Sequence, residues 1–404
     1  MTGFCKVSKP GLIHRVFSCL ASALLLGLTS HVLADGEPSL TLQGFGTIGA
    51  ARTSSNDAEF VRDLSQPRGA RQNWDARVDS LLGAQANWRI NSQLEAVVQA
   101  VSRYRYDRTF TPEISWAYLK YEPSPNVSLR AGRLGTEFFM MADSRLVGYS
   151  FLTVRPPGDF FWSLPFYNID GADVVLTVPL GDHLLRGKLF YGISNGNVPL
   201  AANQWRLDGS VMAGGYVDYQ AGAWLFRASY ANLRFKHDLP IDDVLQANLP
   251  PPFAAQAAVY LATGNTRSHY YSLGAIYDRG PWQLQLMLNR THQGSQAFQS
   301  SDAGYVLAGY RIASVTPFLG YSWASSQSRQ NTLNPVVAAI MADAHVEQKT
   351  SILGARWDVA RNIALKVQWD AIRGEPTSIF PYRRENAAWT GKMDVFSLTM
   401  DFVF

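Results

Sequence analysis

The sequence predicts an all-β protein, a closed antiparallel transmembrane β-barrel of 16 strands, and three observations support this. Apolar and polar residues alternate with period two along most of the chain, which is the pattern of strands with one apolar face. Short and long connections alternate between these segments, as in barrels with short turns on one side of a membrane and long loops on the other. After residue 34, no run approaches the roughly 18 apolar residues that a spanning helix needs.

Residues 1–34 have the features of an export signal peptide. A basic start precedes an apolar run over 16–28, and Val32 and Ala34 stand where a signal peptidase cuts. The apolar run is shorter than the roughly 20 residues of a spanning helix. We therefore expect a signal peptide over 1–34 and one barrel domain over 35–404.

Composition excludes several classes of protein. The 404 residues are 47% hydrophobic and 17% charged, so disorder is excluded. The first 34 residues hold three of the 36 basic residues and none of the 32 acidic residues. The remainder is nearly neutral, which excludes an electrostatic nucleic-acid binder. Cys5 and Cys19 both lie in the leader, so the rest of the chain has no thiol for disulfides, catalysis or zinc.

The alternation separates a face for lipid from a face for water. In 282–289 one set of alternate residues is Trp and Leu, and the other is mostly Gln and Asn. In 363–370 every charged residue falls in one set. A soluble β-sandwich also alternates, but its apolar face packs on a second sheet. Connection lengths favour the barrel over the sandwich.

The connections set the strand count. Seven joins are tight, at 89–92, 122–126, 180–183, 219–222, 278–281, 312–314 and 359–362. Eight are longer or more irregular, near 54–72, 107–110, 136–169, 195–206, 236–267, 293–302, 326–348 and 374–392. Strict alternation gives 16 strands with both termini on the short-turn side, and a barrel of this size leaves an aqueous channel.

Aromatic residues recur where strands end. Trp88, Tyr106 and Trp282 are examples, and such residues form girdles at the two membrane interfaces. The last segment alternates from Phe396 to a terminal Phe404. A final strand that ends in Phe is typical of an outer-membrane assembly signal, so the barrel assembly machinery is an expected partner.

The same alternation predicts which side chains face the pore. These are Arg77, Asp79, Gln85, Glu95, Gln99, Arg103, Lys120, Arg130, Asp173, Arg186, Lys188, Asp218, Arg227, Arg356, Lys366, Asp370 and Asp401. Bases outnumber acids by 9 to 6 in this set, and charged rings bias the ions that a pore admits. We expect a weak preference for anions. Strict alternation points Arg133 outward, unless a bulge reverses it.

Two sequence motifs match catalytic or cofactor-binding patterns, but neither lies in the strand and helix arrangement that its function requires. The glycines at 44, 46 and 49 match a dinucleotide-binding pattern but do not open a striped helix. Residues 192–196 match a nucleophile elbow, yet Asn-Gly there ends a strand. None of the five histidines after the leader has a close metal-ligand spacing. We expect no catalytic residue, cofactor or metal, and no enzyme.

Several segments together resemble the Gram-negative general porin family. They are the leader, 42–46 (LQGFG), 116–121 (WAYLKY), 130–133 (RAGR) and the terminal Phe404. The resemblance implies a homotrimer of barrels in the outer membrane, surrounded by its lipid. Each barrel would be a water-filled channel through which ions and small hydrophilic solutes diffuse passively.

The resemblance also implies a constriction in which the third loop folds inward. Arg77 and Arg133 match the wall arginines of the family by position, and the loop would supply the acids Glu137, Asp143 and Asp159. The loop departs from the family pattern at 155–159 (RPPGD). It also contains Arg145 and Arg155, so its transverse field differs from that of the family.

The sequence also allows other functions. The nearest alternative is a substrate-selective channel with a saturable site, for which Phe160, Phe161, Trp162 and Phe166 would be a stacking platform. More remote alternatives are an outer-membrane barrel enzyme, such as a protease or phospholipase, and an adhesin with a plugged lumen. Apolar segments at 253–260 and 336–342 in two loops suggest short helices at the mouth.

Overall fold

The computed structural model describes residues 38–164, 166–200, 203–327, 334–376 and 382–404. The signal peptide expected over 1–34 lies outside the described residues.

Sixteen strands of the described chain form one closed antiparallel barrel, as the sequence predicted. They are β1 (Ser39–Thr53), β2 (Leu81–Arg89), β3 (Leu94–Arg103), β4 (Glu113–Ser124), β5 (Val127–Gly135), β6 (Asn168–Leu180), β7 (His183–Ser194), β8 (Ser210–Ala221), β9 (Trp224–Arg234), β10 (Arg267–Arg279), β11 (Trp282–Gln293), β12 (Ser301–Tyr310), β13 (Val315–Ser326), β14 (Glu347–Ala360), β15 (Ile363–Gly374) and β16 (Lys392–Val403). Each strand pairs with its neighbours in sequence, and β1 pairs with β16 to close the sheet.

The seven tight joins lie where the sequence placed them. Gly181 and Gly222 adopt positive φ angles of 61° and 56° in two of these turns, a conformation that favours glycine. Four short strands lie in loops, at Glu59–Phe60, Asn197–Pro199, Gln204–Arg206 and Tyr382–Arg383.

Short helices lie in the third, fifth and seventh long loops. The third loop holds a 3₁₀ turn (Gly148–Ser150) and α1 (Gly158–Phe161), the fifth holds α2 (Asp242–Asn248) and α3 (Pro251–Tyr260), and the seventh holds α4 (Pro335–Asp343). The helices of the fifth and seventh loops pack together around Leu245, Ala257 and Met341. No helix among the described residues is long and apolar enough to span a membrane.

The outer surface of the barrel is apolar. Outward residues such as Leu189, Leu273 and Leu319 are more than half exposed. Lys188, which precedes Leu189 and faces inward, is buried. Aromatic residues border this belt: Trp224 packs against Tyr277 at the short-turn end, and Tyr230 packs against Tyr271 towards the long loops. Such a surface is stable in lipid and costly in water.

The two terminal strands fit together through glycine and phenylalanine. Gly44 and Gly46 of β1 lie beneath the rings of Phe404 and Phe402, and a Cβ atom at either glycine would overlap the ring. The Gly44 N–H donates to the Phe404 carbonyl at 2.8 Å, and the Phe404 N–H donates back at 2.9 Å. Phe404 therefore helps to close the barrel, and its role as an assembly signal stays a prediction.

The largest apolar core lies between the third loop and inward-facing residues of the barrel wall. Phe138, Phe139 and Phe160 of the loop pack with Tyr270 of β10 and Tyr305 of β12. Aromatic pairs of this kind add to the free energy gained by burial.

Candidate pore constriction

The third loop (136–167) contacts inward-facing side chains at several points around the barrel. Its polar partners lie on β5, β7, β9 and β11, and on β13 to β16. Buried polar contacts fix a loop only when their hydrogen bonds are satisfied.

Glu137 attaches the start of the loop to the wall. Its carboxylate lies 2.7 Å from Arg130 Nη2 and 2.7 Å from Lys188 Nζ. Asp173 contacts the same two cations, at 2.7 and 2.9 Å. Arg227 Nη1 also donates to the Glu137 carbonyl at 2.9 Å. Two acids and two bases balance here, so the group holds the loop without leaving a net charge.

Arg155 attaches the middle of the loop to the opposite part of the wall. Its Nη2 donates to Asp79 Oδ2 at 2.7 Å and to Ser397 Oγ at 2.6 Å, and its Nη1 donates to Asp370 Oδ2 at 3.0 Å. Lys366 Nζ donates to two loop carbonyls, those of Gly148 and Thr153. Buried carboxylates here are therefore paired with buried cations, as desolvation requires.

Helix α1 is held by hydrogen bonds and by its aromatic residues. Ser322 Oγ and Gln348 Nε2 each donate to the Asp159 carboxylate at 2.6 Å. No cation pairs with Asp159 among the described residues, and burial raises the pKa of Asp159 above its usual range. Asn289 Nδ2 donates to the Phe160 carbonyl at 3.1 Å. The acid predicted for a charged constriction is thus buried.

The prediction that loop aromatics form a stacking platform for solutes is wrong for three of the four residues. Phe160, Phe161 and Phe166 are buried in the apolar core. They pack against the wall rather than offering faces to a solute. The sequence could not show this, because an irregular loop has no period from which side-chain direction can be deduced.

A second arginine group surrounds Tyr167, and we call Tyr167, Arg103, Arg145, Arg62 and Asp63 the Tyr167 cluster. The guanidinium carbons of Arg103 and Arg145 lie 4.2 and 4.3 Å from the ring centroid, within the range of cation–π contacts. The Tyr167 hydroxyl donates to Asp63, and burial raises the pKa of Tyr167 to about 12. The ring therefore stays a neutral phenol between two cations.

Arg145 lacks an acidic partner in the part of the chain that the structure describes. It donates instead to carbonyls, of Ala142 at 3.0 Å, of Leu164 at 2.9 Å, and of Phe166. Arg103 lies 3.6 Å from Asp63 and 3.5 Å from Glu113. Arg62 lies 3.4 Å from Asp79. Arg145 is thus the arginine of the cluster without an ion pair among the described residues, and its positive charge favours anions.

Two predicted wall arginines do not occupy the expected position. Arg77 lies in the first loop, before β2 begins at Leu81, and it pairs with Asp75. Arg133 pairs with Asp170 at 2.7 Å, in the set of alternate residues that faces outward. Strand alternation correctly predicted that Arg133 points outward. The resemblance to the porin family, which implied a place at the constriction, did not.

The remaining predicted residues occupy varied positions. Asp143 is exposed, and no ion pair of it is found in the described residues. Asp79 lies just before β2 and pairs with Arg155 at 2.7 Å. Glu95 and Lys120 face each other on β3 and β4 at 3.8 Å, both partly exposed. The assignment of these residues to the lumen wall stays a prediction.

Sequence reasoning missed Arg62, Asp63 and Tyr167. All three lie in irregular loops, where neither alternation nor a motif marks them. Within the described residues, no group of three or more His, Cys, Asp or Glu side chains could hold a metal ion.

No protein-family model matches the chain, and no curated protein matches it. Solved structures do match over nearly its whole length. An anion-selective porin from Comamonas acidovorans is 13% identical with a TM-score of 0.58, covering 91% of this chain and 100% of that one. The trimer form of OmpT, an outer membrane protein of Vibrio cholerae, is 12% identical with a TM-score of 0.56, covering 91% and 100%. The outer membrane channel DcaP of Acinetobacter baumannii is 13% identical with a TM-score of 0.55, covering 94% and 100%.

The fold is therefore that of Gram-negative outer-membrane β-barrels, a class that includes porins and channels. The closed 16-stranded sheet leaves no exposed edge, and its apolar belt fits a bilayer.

Proposed function

We propose that the protein is a porin similar to the general porins, a water-filled channel through which ions and small hydrophilic solutes diffuse passively. The third loop would fold into the lumen and form the constriction. The proposal involves no cofactor and no catalysis.

The observation that carries this proposal is a wet, polar inner wall on the short-turn side of the loop. Gln43, Arg186 and Gln220 face inward on β1, β7 and β8, and all three are exposed. Glu95 and Lys120 lie on the same side and are partly exposed. A barrel that served only as an anchor would fill this space with packed side chains.

We infer a weak preference for anions. Arg145 makes no ion pair among the described residues and donates to carbonyls, and Arg186 is an exposed base on the inner wall. One structural neighbour is described as an anion-selective porin. Because charged groups at a narrow pore bias ion permeation, this excess supports chloride over potassium.

The homotrimer belongs to the same proposal. Small residues occupy most outward positions at the middle of β2 and β3, at Ala84, Ala86, Ala96 and Ala100, with Val98 as the larger exception. Such a flat face allows a second barrel to approach closely. One neighbour was solved in a trimer form.

A selective channel is the second candidate, and the Tyr167 cluster favours it. Arg62, Arg103 and Arg145 are buried, so the cluster would hold an organic anion nearby through its electric field rather than through direct contact. Such binding would make the current saturate with solute concentration.

Planar bilayer recording of the purified protein tests the proposal. We expect conductance steps in groups of three, current that rises linearly with salt, and a reversal potential in a salt gradient that indicates anion preference. Saturable block by an organic anion would favour the selective channel. Absence of conductance from folded protein would contradict both.

A further inference from the structure

We propose that the outer face of β9, β10 and β11 binds a phosphorylated lipid of the outer leaflet. Arg234 and Arg267 would bind the phosphate, and a groove below them would hold an acyl chain. This site lies outside the barrel and does not depend on the conduction proposed above.

The first observation is a pair of like charges. Arg234 of β9 lies directly opposite Arg267 of β10 in the register. Both are exposed on the lipid-facing side of the wall, in the same alternate set as Tyr230 and Tyr271. Like charges directly opposite one another destabilise a sheet. Neither arginine makes an ion pair within the described residues, so an anion between them would relieve the repulsion.

Three other outward arginines at the long-loop end do have acidic partners. Arg133 pairs with Asp170, Arg290 with Asp302 and Arg373 with Asp394, at 2.7, 2.7 and 3.0 Å. Each of these carries its own acid. Arg290 donates to both carboxylate oxygens of Asp302. Arg234 and Arg267 differ from these three arginines because they face each other and neither makes an ion pair among the described residues.

Two histidines extend the basic surface. His269 of β10 lies opposite His292 of β11, with ring centroids 6.4 Å apart. The Tyr230 hydroxyl lies 2.8 Å from His269 Nδ1. These rings carry hydrogen-bonding groups at the level where a lipid headgroup meets its acyl chains.

The second observation is an apolar groove on the same strands. It has a volume of about 430 Å³. Ala228 and Ala275 lie at its floor, and larger side chains, Phe226, Leu273, Leu286 and Leu288, stand around it. The strand registers place the groove between two sets of aromatic residues. Trp224 and Tyr277 lie on its short-turn side, and Tyr230 and Tyr271 lie on its long-loop side. A groove of this shape on a lipid-facing wall suits a hydrocarbon chain.

The two features together favour a lipid over free phosphate. Guanidinium groups bind phosphate oxygens in a bidentate geometry. The apolar groove lies directly below them, separated by the Tyr230 and Tyr271 rings, which pack at 5.2 Å. Phosphate above and hydrocarbon below match the order of groups in a phosphorylated glycolipid standing in the outer leaflet.

Binding of diphosphorylated lipid A to the full-length protein folded in detergent tests the inference, with native mass spectrometry as the readout. We expect R234Q/R267Q to bind at least fivefold less lipid than the unsubstituted protein. The matched control R133Q/R373Q also removes two outward arginines, but each has an acid partner, and we expect its binding to change less than twofold. R234K/R267K keeps the charges and should keep most of the binding.

Two further arms separate the sources of phosphate and the role of the groove. Inorganic phosphate should not displace the lipid, and A228F/A275F, which fills the groove, should weaken binding. Displacement by inorganic phosphate, or undiminished binding to A228F/A275F, would overturn the lipid assignment. Equal binding by R234Q/R267Q and the unsubstituted protein would overturn the site. Conductance of R234Q/R267Q should be unchanged, so failure here leaves the proposed pore intact.

Discussion

Arg145 and Arg155 belong to the same loop and are equally buried, at 4% exposure each, but their partners differ. Arg155 contacts two carboxylates, those of Asp79 and Asp370. Arg145 contacts carbonyl oxygens and the Tyr167 ring. A buried cation with matched acids fixes the loop to the wall, whereas one without acids contributes its field to the space nearby. Partner identity, rather than burial, therefore separates a structural from an electrostatic role.

The largest effect is expected at Arg155. Arg155→Met leaves Asp79 and Asp370 buried without this cation, and loss of one partner from a buried ion pair costs about 3–5 kcal/mol. Urea titration in detergent micelles should show the loss in the free energy of unfolding. Arg145→Met, which strands no carboxylate, should cost clearly less.

Removal of all three charges sharpens this prediction. R155M/D79N/D370N should recover part of the lost stability, because both carboxylates are then neutral, although Arg62 loses its contact with Asp79 at 3.4 Å. If R155M and R145M were equally destabilised, and the triple variant did not recover, the distinction between the two arginines would be wrong.

A smaller effect, on selectivity, is expected at Arg145. Arg145→Gln removes a cation that no described acid balances, and we expect the permeability ratio of chloride to potassium to fall about twofold. The reversal potential in a potassium chloride gradient measures this ratio. Arg290→Gln is the control, because Arg290 faces outward and pairs with Asp302. An unchanged ratio in R145Q would remove Arg145 from the constriction.

The barrel could be predicted from the sequence because strands carry a period. Alternation gave the strand number and all seven tight joins, and it placed Arg130 on the inner wall and Arg133 on the outer one. A one-residue shift would turn every apolar side chain inward, so the membrane fixes the register strongly.

The constriction could not be predicted in the same way. Loop residues such as Arg62, Asp63 and Tyr167 meet only through long-range contacts, and no local pattern encodes these. Glu137 and Arg155 were correctly assigned to the loop, but their partners depend on how the loop crosses the barrel. Charge type was visible in the sequence, whereas the pairing of charges was not.

The smallest effect is expected at Asp159, which resembles Arg145 in lacking an opposite charge. Burial raises the pKa of Asp159, so the folded state holds its proton at pH values where the unfolded chain has lost it. Stability from this group therefore falls as the pH rises from about 4, the value for an unfolded Asp, through the raised pKa, and stays low above it.

Asp159→Asn removes this decline while keeping the size of the side chain and an oxygen that accepts a hydrogen bond. The variant should match the unsubstituted protein near pH 4 and unfold a few degrees higher at pH 8, as measured by circular dichroism in micelles. Asp63→Asn serves as the comparison, because Asp63 lies near Arg103 and its neutralisation should not raise the unfolding temperature at pH 8. Parallel curves for D159N and the unsubstituted protein from pH 4 to 8 would show that the buried carboxylate has no net cost in the fold.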